Sequence, residues 1–155
     1  MNSTTFFQGL FEYDYWGNLE ALASLSTVSG FEERPLKILG HIMGAQRVWL
    51  ARFDNPTPPE ARPWPALTLK DCRAVLDDLH RRWGTLLNAM TPESFASDLS
   101  YRNTKGQEFR TPIQDVLMHL VMHSAYHRGQ VAAAVRDAGG KPAATDYVVH
   151  LRQKP

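Results

Sequence analysis

Residues 111–140 read TPIQDVLMHLVMHSAYHRGQVAAAVRDAGG. The stretch opens with helix-start residues: Thr111 as N-cap, Pro112 at the first helical position and Gln114 two residues on. Gly139-Gly140 supplies a stop. With Leu120 at zero and about 100° per residue, Ile113, Val116, Leu117, Ser124 and Val131 fall within about 60° of it, which defines a core-facing stripe. His127 lies inside that stripe at about −20°, His123 at its edge at about −60°, and His119 on the flank at about −100°. This segment is expected to be the last long helix of a bundle, with two imidazoles turned inward one turn apart.

Three more helices follow from the rest of the chain. The first is expected from about Thr4 to Thr27, with Phe7, Leu10, Phe11, Leu22 and Leu25 at helical spacings and Gly30 as its stop. The second is expected from Glu33 to Phe53, with Pro35 harmless in its first turn. Its stripe of Leu36, Leu39, Met43, Leu50 and Phe53 is widened by Ile38, Ile42, Ala45 and Trp49, so this helix should pack on two sides. Pro56, Pro58, Pro59, Pro63 and Pro65 then make a stiff connection that no helix can cross. Thr68 and Asp71 form a capping-box pair that starts a third helix running to about Met90. Ser100-Tyr101-Arg102 and Gln107-Glu108-Phe109 flank Asn103-Thr104-Lys105-Gly106, which reads as a small β-hairpin. Asp146 to Arg152 adds a last turn. The expectation is an all-α four-helix bundle in one domain, residues 1–155, with a long connection between the second and third helices.

Composition narrows the function. The 155 residues carry 17 Lys+Arg against 16 Asp+Glu, a net charge of +1, without the basic excess of a dedicated nucleic-acid binder. No apolar run is long enough for a membrane span. The opening MNSTTFFQGLFEYDYW has neither a basic leader nor an apolar core, so no signal peptide is expected and a cytoplasmic location is. Cys72 is the only cysteine, which excludes an intrachain disulfide and a cysteine-built zinc site.

Six histidines remain: His41, His80, His119, His123, His127 and His150. A triple at i, i+4, i+8 among six arises by chance in roughly one chain of this length in 200. Two neutral imidazoles in an apolar seam present four ring nitrogens that need partners, and a metal ion supplies one bond to each ring. Hydrogen-bonded core histidines satisfy the same spacing, and HExxH is absent. On the second helix His41 lies about 160° from Leu39, so periodicity permits it to face the pair without requiring it.

The segments Leu39-Gly-His41-Ile-Met-Gly-Ala-Gln-Arg-Val-Trp49, His119-Leu-Val-Met-His123-Ser-Ala-Tyr-His127-Arg-Gly-Gln130 and Ala144-Thr145-Asp146-Tyr147 together resemble the DinB-like (DinB/YfiT) family of metalloenzymes. The resemblance covers most of the chain and keeps the motif order. It implies an up-down-down-up bundle and one divalent metal ion, zinc or nickel ahead of iron, manganese or copper, held by His41, His123 and His127. It implies a metal-dependent enzyme acting on a small molecule. Thiol-dependent transfer, with a low-molecular-weight thiol as co-substrate, stands ahead of hydrolysis. It also implies a homodimer. The alternative is a non-catalytic metal-binding or stress-response protein whose metal is structural. The damage-inducible family name concerns regulation and gives no ground for nucleic-acid binding.

Other residues carry plainer expectations. His119 is either an orienting neighbour of the site or a partly exposed flank residue. Arg128 and Gln130 are assigned to packing and helix–loop hydrogen bonds, and Trp16 and Asn18 to core and interhelix contacts. His80, in the run Asp77-Asp78-Leu79-His80-Arg81-Arg82, is expected on a solvated face. His150 is expected to be exposed or packed near the terminus. Cys72 sits in a first helical turn, where the dipole favours a thiolate, but is not assigned a catalytic role. Trp49, Trp64 and Trp83 are expected in the core, with covering of the site mouth as the alternative for Trp64 in the proline-rich loop.

Overall fold

The computed structural model describes residues 2–30, 33–54 and 62–153. Its elements are α1 (Ser3–Leu25), α2 (Glu33–Asp54), α3 (Leu69–Ala89), α4 (Pro92–Ala96), β1 (Asp98–Arg102), β2 (Glu108–Pro112), α5 (Ile113–Asp137) and α6 (Tyr147–Arg152). Among the described residues no helix is long and apolar enough to cross a membrane.

Side-chain contacts fix the helix directions. Arg128 of α5 meets Asp14 of α1, and Gly140 meets Val28, so α1 and α5 run parallel. Gln8 bonds Asn88 and Tyr15 bonds Asp77, so α1 and α3 run antiparallel. His41 meets His127, and Trp49 meets His119, so α2 and α5 are also antiparallel. The result is the expected up-down-down-up bundle, with the long connection between α2 and α3. Pro56, Pro58 and Pro59 of that connection lie outside the described residues.

The core explains why α2 needed so wide a stripe. Leu39, Ile42 and Met43 are fully buried, and they meet Leu79, Trp83 and Leu87 from α3 and Leu117, Leu120 and Val131 from α5. Each such side chain contributes about 1.5–3 kcal/mol by leaving water. Thr68 caps α3 as expected: its hydroxyl accepts from the Asp71 N–H, and the Asp71 carboxylate accepts from the Thr68 N–H. At the far end of α5 the Gly140 N–H donates to Val135 O and the Gly139 N–H to Arg136 O, a Schellman closure. Gly139 adopts φ +78°, a left-handed conformation that a side chain would strain.

The start of α5 departs from expectation. The hairpin is longer than the sequence indicates, so Thr111 pairs with Leu99 and Pro112 with Asp98. Thr111 therefore lies in β2 and is not the N-cap; Pro112 occupies the cap position, and no side chain caps the helix. The Ile113 N–H is satisfied instead by Ser97 O at 2.9 Å, so strand pairing replaces the capping box. The short α4 between α3 and the hairpin has no counterpart in the sequence reading. It buries Phe95, stacked on Phe7 with centroids 5.5 Å apart.

Candidate metal centre

A polar network crosses the bundle just below the histidines. Asp14 Oδ1 accepts from Arg128 Nη1 at 2.8 Å, and Asp14 Oδ2 accepts from Gln46 Nε2 at 2.6 Å and from Asn18 Nδ2 at 3.1 Å. Arg128 Nη1 also donates to Asn18 Oδ1 at 3.1 Å. Trp83 Nε1 donates to Gln46 Oε1 at 3.2 Å, and Gln46 Nε2 reaches Ser124 Oγ at 3.4 Å. All four long helices contribute. Arg128 thus forms a helix–helix ion pair with its side chain 1% exposed, and not the helix–loop bond expected of it. A Cβ on Gly17 would sit 2.8 Å from Arg128 Nε, which explains the bare backbone opposite that guanidinium. Asp14 and Gln46 carry no sequence expectation. A polar pair at Asp14 and Asn18, one turn apart, was the available signal.

Above this network His41 from α2 and His123 and His127 from α5 converge. One ring nitrogen from each lies within 4.8 Å of the others, and all three rings are half-buried. His123 Nε2 and His41 Nε2 are 3.2 Å apart. Two ligand nitrogens bound tetrahedrally at about 2.05 Å stand about 3.3 Å apart, so this spacing fits a divalent ion.

The outer nitrogens of two rings are already assigned. His41 Nδ1 lies 2.7 Å from the Pro63 carbonyl, which can only accept, so Nδ1 carries the proton and Nε2 keeps its lone pair. His127 Nδ1 lies 2.7 Å from Gln130 Oε1, which holds that ring in the same tautomer. The role of Gln130 is therefore to orient His127. Burial pushes the His123 imidazole down to about 4, reinforced by His127, His41 and His119. Burial also lowers His41, against the upward pull of the Pro63 carbonyl. Both rings are neutral near pH 7, the state in which imidazole ligates a metal.

The loop that fixes His41 is seated by glycine. A Cβ on Gly44 would lie 2.5 Å from Pro65 Cδ and 2.6 Å from Pro63 O, so only a bare backbone lets residues 62–65 lie against α2. That seating stacks Trp64 on the His41 ring with centroids 3.9 Å apart and planes 12° apart. The indole stays half-exposed, so Trp64 is not a core residue; it covers the centre on the side of α2, the alternative the sequence left open. Tyr126 packs edge-on against His127 and is solvent-exposed.

The remaining histidines stand apart. His119 is exposed, its ring 5.6 Å from that of His123, and it does not join the ligand group. His80 stacks on Tyr15 at 4.1 Å in the α1–α3 contact, so it is not simply solvated. His150 is buried against Trp16 and Tyr13. Cys72 is buried and its thiol is pushed up to about 11 by burial, which overrides the dipole at that helix start.

Comparison with known proteins finds relatives along most of the chain. Protein DinB of Bacillus subtilis (strain 168) is 24% identical over 157 aligned positions, covering 92% of this chain and 91% of the relative. The family model described as DinB family matches residues 32–154, a span that holds all three converging histidines. The chain belongs to the DinB family.

Proposed function

We propose that His41, His123 and His127 bind one divalent metal ion through their Nε2 atoms, and that the protein is a metal-dependent enzyme acting on a small molecule. The observation that carries this is the pre-set tautomers: Pro63 and Gln130 hold the protons of two rings outward and leave lone pairs facing a common point. Three neutral donors give a divalent ion open positions, at which it lowers the pKa of a bound water or thiol. The donor set suits zinc, nickel, iron, manganese or copper.

Thiol transfer to an electrophile, with a low-molecular-weight thiol as co-substrate, stands ahead of hydrolysis in this reading. Among the described residues no Asp or Glu joins the three histidines, so a thiol co-substrate can supply the nucleophile without a carboxylate base. A thiol needs only deprotonation by the ion itself. The closed Asp14–Arg128–Gln46 network ties the four long helices together without metal, which favours a functional ion over a structural one. The same reading includes a homodimer, which sedimentation equilibrium checks.

Calorimetric titration of zinc and nickel into metal-free protein tests the site. One ion per chain is expected, with binding lost in His41→Ala and His127→Ala. Thiol conjugation to electrophiles and ester or amide hydrolysis are then assayed with the loaded protein. Binding with no turnover across a broad panel returns the protein to the non-catalytic class, and unfolding on metal removal makes the ion structural.

A further inference from the structure

The α2–α5 seam continues past the histidines to a second charged group. Arg52 lies on the same face of α2 as His41, eleven residues on, or roughly 16 Å along the helix axis. Its guanidinium is held between two rings: its carbon lies 4.3 Å from the Trp49 centroid and 4.7 Å from that of Tyr101 on β1. The residue is 8% exposed, and its Nε is buried with no hydrogen-bond partner. Among the described residues no carboxylate pairs with it, whereas Arg128, the other buried arginine, has Asp14. His119 bridges the two regions, with its ring 5.9 Å from Trp49 and 5.6 Å from His123.

A guanidinium taken from water needs a counter-charge, and aromatic faces supply only a fraction of one. The planar fork is pre-organised for a carboxylate or phosphate, which it binds through two parallel N–H bonds. We infer that Arg52 is an anion subsite: it anchors a carboxylate or phosphate on a small molecule whose other end reaches the three-histidine centre along the seam. The span between them, on the order of 10 Å once both side chains reach inward, sets the length of that molecule. Trp49 and Tyr101 flank the guanidinium and favour an apolar or flat group next to the anion. This inference rests on the metal-centre reading for its far end but not for the anion subsite itself.

Two measurements separate those dependencies. First, succinate and inorganic phosphate are titrated into metal-free protein while the Arg52 Nε–H resonance is followed by 15N NMR. A saturable shift is expected with no metal present, and it should vanish in Arg52→Gln while the fold is retained. Second, zinc-loaded protein is titrated with hexanethiol, 6-mercaptohexanoate and 8-mercaptooctanoate. One of the two acids should bind at least tenfold tighter than the plain thiol. Arg52→Gln should remove that gain without changing zinc affinity, and Arg52→Lys should keep only a fraction of it. If zinc does not bind, the metal reading fails and the first measurement alone decides the subsite. An unmoved Nε–H resonance, or acids and thiol of equal affinity on zinc-loaded protein, overturns the inference and leaves Arg52 as a clamp holding the hairpin to α2.

Discussion

Two polar clusters lie side by side in this bundle and are built on opposite rules. Around Asp14 the charges are paired within the chain: both carboxylate oxygens accept from one guanidinium and two side-chain amides out of solvent, while Arg128 Nε and Nη2 make no hydrogen bond and the guanidinium lies over the Tyr13 ring. Around His41 the matching stops halfway. The outer nitrogens are satisfied by Pro63 and Gln130, while the inner ones face each other across 3.2 Å. The two share the same turns of α5 on adjacent faces, with Ser124 and Arg128 turned to the first and His123 and His127 to the second. A cluster whose opposite charges pair within the chain contributes to stability and specificity of fold, and one whose lone pairs converge on a common point is available for a ligand.

Breaking the first cluster gives the largest effect. Asp14→Ala strands a buried guanidinium and is expected to cost about 3–5 kcal/mol of folding stability, read from urea unfolding. His127→Ala reverses the pattern. Metal affinity should fall by more than about a hundredfold, since losing a ligand exceeds the 10–100-fold typical of its partners, while metal-free unfolding moves little. Gln130→Ala frees the outer nitrogen of His127 without touching a ligand, and about 10–100-fold weaker metal binding is expected by competition with a chelator. Gly44→Ala should lift residues 62–65 off α2 and weaken metal binding by about tenfold through loss of the Pro63 bond, with the helix itself kept. If Gly44→Ala leaves affinity unchanged, the loop does not orient His41.

The smallest expected effect is with pH. The fold holds the His123 imidazole well below its ordinary value, so the unfolded chain binds more protons between about pH 6.5 and 4. Metal-free stability from this ring is complete above about 6.5 and is lost as pH falls toward 4. Urea midpoints measured across that range check the sign, and His123→Gln should flatten the slope.

Much of this arrangement was written in local patterns. The stripe on α5 placed His123 and His127 together because helical spacing alone fixes neighbours one turn apart. Pro35, Thr68 and Gly139 marked ends that the structure keeps. His41 was different: its angle on α2 left it free to face either side, and only the resemblance of the surrounding motif chose. The Thr111 cap failed because a longer hairpin ladder outcompeted it, a pairing set by residues more than ten positions away. Gln130 on His127 and Asp14 on Arg128 depend on rotamers and on helix–helix register, neither of which periodicity specifies. Cys72 keeps its thiol protonated in spite of its place at a helix start, because the dipole is a local effect legible in sequence and burial is not.

The stacked indole of Trp64 has one more consequence. It is one of four tryptophans, and its ring lies face to face with a proposed ligand. An open-shell ion such as nickel or copper entering the cluster would drain the excited state of that indole. Zinc would leave it bright. With a metal ion bound as proposed, the chain would carry its own optical gauge of that ion, and Trp64→Phe would blind it.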